Sequence, residues 1–257
     1  MGPVYRYAMT ANSDNLGAAP SARIAGWFAA SGAPYAPEMC RRTPADVKGG
    51  HLAVRKSDGR IILRDTAQTP EDQMHYFTDQ FRHPFFHTNN LWFDLKVLRD
   101  TLADRGGILG LPLIRNSKTV DPADSSSTPV IQLETAMGAA VEAFEGATAI
   151  EVPRSRFLPV KTTNDLLLVR SDVYKVDDDG LLQMVPDQAC TVSLDPRFYK
   201  KIQDFEARFP NGVPSIKDAQ SLTVEGDWTF GADVVATGEA HVEAEGSPGR
   251  IADGTRI

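Results

Sequence analysis

An α/β domain followed by a short parallel β-helix is the fold class that the 257-residue sequence predicts. Three observations carry that expectation. Apolar strand-like runs alternate with helical patterns from the start to about residue 195, which is the signature of layered sheet and helix. Beyond residue 210 a period of six takes over, in which Leu222, Trp228, Val234 and Ala240 form one series and Val224, Phe230, Ala236 and Val242 another. Hexapeptide periodicity belongs to coils whose short strands bury an apolar face on the next turn. A meander of alternating strands shows the same local alternation and stays open on the residues alone. The chain is also long enough to bury a full-sized core in one or two domains.

The elements follow in order. Residues 5–10, YRYAMT, read as a buried strand of the sheet, closed by the polar turn Asn12-Ser13-Asp14-Asn15 and followed by a helix. Residues 52–55 and 61–63 read as strands. LWFDLKVLRDTLADRGG predicts a helix over 91–107, with Leu91, Leu95, Leu98 and Leu102 on one face and Gly106-Gly107 as its stop. VIQLETAMGAAVEAF predicts another over 130–144, with Leu133, Met137, Ala140, Val141 and Phe144 as its apolar stripe. Residues 150–152 and 166–170 read as strands, and 198–209 as an amphipathic helix closed by Pro210-Asn211-Gly212. The expected division is a larger domain over 1–209 and the β-helix over 210–257.

A net charge of −7 argues against a broad nucleic-acid or membrane surface while permitting a local basic pocket. Cys40 and Cys190 are the only cysteines and stand far apart, so a reducing, cytoplasmic setting is expected. Neither a leader pattern at Met1 nor an apolar run of membrane-spanning length is visible.

Metal and nucleophile chemistries find little support. Pro84 disfavours a helix carrying both His83 and His87, and His51, His75 and His241 have no ligand-like sequence companions. VDDDGLL lacks two ligand positions of a calcium loop, and no G-x-S-x-G elbow occurs. Three polar segments remain. Asp14 closes a strand, where open α/β sheets bind ligands and a carboxylate suits magnesium held with phosphates; a plain Asn/Asp turn is the simpler explanation. In ADVKGGH, Lys48 precedes Gly49-Gly50, a pair that admits close ligand approach or merely turns a hairpin. In VPRSRFLPVKTTNDLLLVRSD, Lys161 follows Pro159, with Arg154 and Arg156 upstream. That stiffened loop presents cations to an anion or simply to solvent.

Taken together, NSDNLGA, ADVKGG, TNNLW, QLETAMGAA and RSRFLPVKTTNDLLLVRSD, in this order, resemble the UTP–glucose-1-phosphate uridylyltransferase (UDP-glucose pyrophosphorylase) family. PSIKDAQSLTVEGDWTFG is similar to the start of that family's C-terminal left-handed β-helix. The resemblance implies a nucleotidyltransferase fold, a Rossmann-like, GT-A-type mixed sheet with helices. It implies formation of UDP-glucose and pyrophosphate from UTP and glucose 1-phosphate with Mg²⁺. By similarity Lys161 contacts the phosphates as the catalytic residue and Asp14 holds the metal. Asn12, Lys48, Gly49, Asn89, Asn90 and Lys118 match substrate-binding positions. A homo-oligomer built through the β-helix, or through a sheet edge left exposed at the first strand, is also expected.

Departures from the pattern bear on selectivity. His87-Thr88-Asn89-Asn90 stands where Asn-Thr-Asn-Asn is usual, Arg42 where a lysine is usual, and Asp65-Thr66-Ala67-Gln68 where Glu-Ile-Ala-Gln is usual. His87 and Asp65 change hydrogen-bonding reach at what resembles the sugar pocket. The family's glycine-rich phosphate loop has no equivalent before Tyr5, so the chain reads as the C-terminal half to two-thirds of the enzyme, weak or inactive alone. A non-catalytic assembly module and a pyrophosphorylase for another hexose 1-phosphate, such as N-acetylglucosamine 1-phosphate, remain the alternatives.

Overall fold

The computed structural model describes residues 5–43, 46, 49–66, 69–122, 124 and 126–257. The chain forms two compact units, one of Met1–Ser13 with Ala18–Phe157 and one of Asp14–Gly17 with Leu158–Ile257.

The first unit is built on strands β1 (Tyr7–Thr10), β2 (Tyr35–Arg41), β3 (His51–Val54), β4 (Ile61–Arg64), β5 (Phe85–Asp94), β6 (Leu113–Thr119), β7 (Pro129–Thr135) and β8 (Ile150–Glu151). Its helices are α1 (Ala22–Ser31), α2 (Met74–Phe77) and α3 (Leu95–Asp104). Four strands make a mixed sheet in the order β1-β5-β2-β8, antiparallel except for the β2–β8 pair. The expected interior strand at 5–10 is therefore β1, half-buried at one edge. Alternation along β5 sends Trp92 to the α1 side, where it packs with Ile24, Phe28, Ala36 and Cys40. Leu91 and Phe93 face the other way, against Tyr35, Leu63, Ala140, Val141 and Phe144. Burial on both faces explains the continuous apolar run of the strand.

Two predicted helices are corrected. Residues 91–94 belong to β5, and α3 begins only after Asp94, whose side chain accepts from the Lys96 and Val97 amides. This is an N-cap inside an apolar run that periodicity alone reads through. Residues 130–144 are not one α-helix. They are β7, paired antiparallel with β6, followed by a 3-10 segment over Met137–Ala143. Val130 and Ile131 are β-branched and favour the strand. Gly138 then packs so closely that a Cβ there would meet His87 Cε1 at 2.9 Å and Leu63 Cδ2 at 3.0 Å.

The second unit holds helices α4 (Thr163–Arg170), α5 (Pro196–Tyr199) and α6 (Ile202–Arg208). Its strands are β9 (Tyr174–Val176), β10 (Leu182–Met184), β11 (Thr191–Leu194), β12 (Ser215–Val224), β13 (Trp228–Phe230), β14 (Val235–Val242) and β15 (Gly249–Ile251). Here α4 replaces the strand predicted at 166–170. The Thr162 hydroxyl and the Asp165 carboxylate form a reciprocal capping box that starts a helix before the short Leu166–Val169 run. The expected helix over 198–209 is split into α5 and α6.

In the tail, β11, β12 and β14 form a parallel sheet, and β13 pairs parallel with β15. Leu222 pairs with Ala240 and Val224 with Val242, each three six-residue periods further along. Parallel neighbours exclude the meander, which requires antiparallel ones. The expected boundary at 209/210 falls inside this unit. Leu167, Val192, Leu194, Tyr199 and Phe205 share one core with Ile216, Leu222, Phe230 and Ala236, so burial continues across it.

Candidate active site

In the second unit, a short backbone ladder joins two segments far apart in sequence. Leu16 N donates to Leu158 O at 3.0 Å, Asn15 bridges Pro159, and Val160 N donates to Asp14 O at 2.9 Å. The Asn15 side chain, 6% exposed, tightens the turn by accepting from the Gly17 amide at 3.1 Å and the Leu158 amide at 2.8 Å. Asp14 consequently lies opposite Val160, one residue from Lys161. The Lys161 amide donates to the Asp165 carboxylate at 3.0 Å, which ties the lysine to the entry of α4. Among the described residues, neither the Asp14 carboxylate nor the Lys161 ammonium has a protein partner. A carboxylate and a cation are thus carried on adjoining backbone segments, neither tied to a protein group among the described residues. One uncommitted carboxylate suits a magnesium ion that takes its remaining ligands from water and phosphates. Two other residues share an exposed cluster with His241 in this unit, assembled by the pairing of β12 with β14. Glu225 lies 3.8 Å from Nε2 and Glu243 3.4 Å from Nδ1.

The first unit carries a cavity of about 500 Å³ lined by Thr10 at the end of β1 and Asn12 just beyond it, by Gly50, Leu63 and Asp65 around the β3–β4 hairpin, by His87 and Asn89 of β5, and by Glu134 to Gly138, from the end of β7 into the segment that follows. Asn12 and Asn89 meet there, the Asn89 side-chain amide donating to Asn12 Oδ1 at 2.6 Å. Asn89 has a φ of 63°, a left-handed conformation that asparagine tolerates. Its amide donates to His87 Nδ1 at 3.1 Å. Burial pulls the His87 pKa down to about 4, so the ring is neutral near pH 7.

Other predicted residues of this unit do not line the cavity. Asn90 is fully buried and donates to Glu38 Oε2 at 3.0 Å and to Arg156 O at 3.2 Å. Its place is in a buried ion-pair network, in which Arg156 grips Glu38 at 2.6 and 2.7 Å and Trp92 Nε1 adds a bond at 2.9 Å. Gly49 O accepts from the Arg42 guanidinium, which also reaches Phe77 O at 3.4 Å and lies 3.3 Å from His51 Nδ1. Burial lowers the Arg42 pKa. Arg42 thus organises the 49–51 segment in place of presenting its charge openly. Lys118 is exposed on β6, opposite Val130. Lys48 lies outside the described residues. Sequence reasoning missed Thr10, Glu134 and Gly138 as cavity residues, as well as Glu38. The period-two alternation of β1 and β7 could have placed the first two had the register been known.

The UTP–glucose-1-phosphate uridylyltransferase family model matches residues 4–236. The barley (Hordeum vulgare) UTP–glucose-1-phosphate uridylyltransferase is 41% identical over 93% of this chain and 49% of its own length. The Saccharomyces cerevisiae enzyme is 39% identical over 88% of this chain and 44% of its own. Among solved structures, UDP-glucose phosphorylase from Trypanosoma brucei aligns with a TM-score of 0.84 and 42% identity, covering 98% of this chain and 55% of that one. A variant of UDP-glucose pyrophosphorylase from Leishmania major, solved with UDP-glucose, aligns at 0.83 and 44%, covering 98% and 56%. The chain spans about half the length of the curated relatives it matches.

Proposed function

Because the chain belongs to the UTP–glucose-1-phosphate uridylyltransferase family, we propose that the protein forms UDP-glucose and pyrophosphate from UTP and glucose 1-phosphate. A phosphate oxygen of glucose 1-phosphate attacks the α-phosphorus of UTP. The bond to the bridging oxygen of the β-phosphate breaks, and pyrophosphate leaves with that electron pair. Such chemistry asks the protein chiefly to position two polyanions and offset their charge.

The observation that carries this reading is the ladder between residues 14–16 and 158–160, which sets the unpaired Asp14 carboxylate beside the Lys161 segment. In the proposed role, the Lys161 ammonium stabilises negative charge gathering on the phosphoryl oxygens. Asp14 would hold Mg²⁺, which when bound neutralises phosphate charge. Asn12 and Asn89, coupled at 2.6 Å, present amide groups to hydroxyls of the hexosyl ligand. The parallel tail is read as a left-handed β-helix, with self-association through its edge or through β1 measurable by light scattering. No helix among the described residues is long and apolar enough to cross a membrane, and a cytoplasmic location is part of the proposal.

Calorimetric titration of the chain with UDP-glucose tests the reading. Saturable binding that weakens in Lys161→Ala is expected. Equal binding by the two proteins, or none by either, would remove it. Preference for UDP-N-acetylglucosamine would redirect it to another hexose.

A further inference from the structure

The outer face of the tail sheet carries a cluster that the proposed reaction does not use. In the parallel ladder Val224 of β12 pairs with Val242 of β14, and the Glu225 amide donates to Val242 O at 2.9 Å. Glu225 and Glu243 therefore leave the sheet as immediate neighbours. Their backbones are clamped together, because Trp228 Nε1 donates to Glu225 O and to Glu243 O at 3.0 Å each. Gly249 lets the indole seat closely, since a Cβ there would meet Trp228 Cζ3 at 2.6 Å. His241 stands two residues before Glu243, on the same side of the chain. Its Nε2 lies 3.8 Å from Glu225 Oε1 and its Nδ1 3.4 Å from Glu243 Oε1.

Like charges set opposite each other on adjacent strands are destabilising unless a cation joins them. Asp195, just past β11 in the same row, is matched by Arg197 at 2.6 Å. Glu225 and Glu243 have no such lysine or arginine. Among the described residues their one ion-pair partner is the His241 ring. One ligand atom from each of the three residues lies within 4.8 Å of the others. In a tetrahedral zinc site with bonds of about 2.1 Å, ligand atoms stand about 3.4 Å apart. The spacing of Nδ1 and Glu243 Oε1 is thus already that of two ligands of one ion. The exposed Glu225 side chain closes the remaining gap by rotating about its own bonds, with its backbone held by Trp228. A nitrogen ligand beside two carboxylates favours a borderline transition ion over magnesium or calcium, which take oxygen ligands.

We propose that Glu225, His241 and Glu243 form a divalent transition-metal site, with zinc as its type ion and water completing the coordination. The bound ion ties β12 to β14 and stabilises the second unit, because a ligand that binds the folded state raises its stability. None of the three residues takes part in the proposed nucleotidyl transfer, so the site stands or falls independently of it.

Zinc chloride titrated into the full chain tests this, followed by calorimetry and by nitrogen-15 spectra of the labelled histidines. Saturable binding is expected, with a shift of the His241 Nδ1 resonance while His51, His75, His83 and His87 stay in place. His241→Gln, and Glu225→Gln combined with Glu243→Gln, are each expected to weaken zinc binding by at least about 10-fold. All three side chains are exposed, so circular dichroism of these variants is expected to match the parent's. Zinc is expected to raise the unfolding midpoint of the parent and not that of His241→Gln. Magnesium at the same concentrations is expected to do neither. Absence of saturable zinc binding, equal affinity in the parent and His241→Gln, or a shift at another histidine in place of His241 overturns the proposal. Magnesium binding as tightly as zinc would overturn it too, by marking an unselective acidic patch.

Discussion

Glu38→Ala is expected to be among the most destabilising single substitutions in the first unit. Glu38 has no solvent exposure, and its two oxygens accept four bonds: Arg156 Nε at 2.6 Å, Arg156 Nη2 at 2.7 Å, Trp92 Nε1 at 2.9 Å and Asn90 Nδ2 at 3.0 Å. Four charge-assisted or neutral bonds counted separately would overstate the loss, because they share one carboxylate and are not additive. The better measure is the cost of leaving its partner uncompensated. The Arg156 side chain is only 12% exposed and would keep its bond to Ala19 O at 2.8 Å while losing its counter-charge. Breaking such a buried pair costs about 3–5 kcal/mol, a large share of a total stability of about 5–15 kcal/mol. For a unit of this size the midpoint falls by about 2–4 °C per kcal/mol, or roughly 6–20 °C here. Thermal unfolding followed by near-ultraviolet circular dichroism, with urea titration as a second measure, reads the change. Glu38→Met combined with Arg156→Met is expected to recover most of the loss, since an apolar pair leaves no buried charge. A loss below about 1 kcal/mol for the single variant, or a double variant no better than it, would refute the reasoning.

Three further outcomes are expected. Lys161→Ala should leave the unfolding midpoint within about 0.5 kcal/mol, because the side chain is exposed. In an enzyme of the relatives' full length it should cut pyrophosphate release by about 10²–10³-fold, and unchanged turnover would discard its role. Gly138→Ala should cost about 1–3 kcal/mol through overpacking against His87 and Leu63, and a midpoint equal to the parent's would count against the tight approach. Acid should weaken the first unit well before its carboxylates titrate. His87 is held near pKa 4 and His51 near 3 by burial, while both titrate near 6.5 when unfolded. Their neutral forms therefore contribute fully above about pH 6.5, and that contribution declines as pH falls toward the folded values, by about 3 kcal/mol for His87. Urea midpoints at pH 7 and pH 4.5 measure the decline, and an unchanged midpoint would contradict it.

Local chemistry and spacing were legible in the sequence. The strand before Asn12-Ser13-Asp14, the glycine stop after α3 and the six-residue rhythm of the tail all rest on neighbours a few positions apart, and the structure keeps each of them. Errors arose where one apolar run could serve two periods. Leu166–Val169 became helical through the Thr162–Asp165 capping box. The 130–144 run became strand and 3-10 turn because pairing with β6 stabilises the extended form. Asn90 shows the same limit at the level of a site: its motif pointed to substrate, and its fully buried amide serves Glu38 and Arg156.

What the sequence by itself determined was the set of chemical groups and the short-range turns that present them. Tertiary structure decided which groups meet. The segments carrying Asp14 and Lys161 adjoin only through backbone bonds between residues 14–16 and 158–160. Thr10 and His87 line one cavity only because β1 and β5 pair in one register. The physical reason is that such contacts depend on strand register and close packing across long stretches of chain, where a shift of one residue turns every side chain to the opposite face.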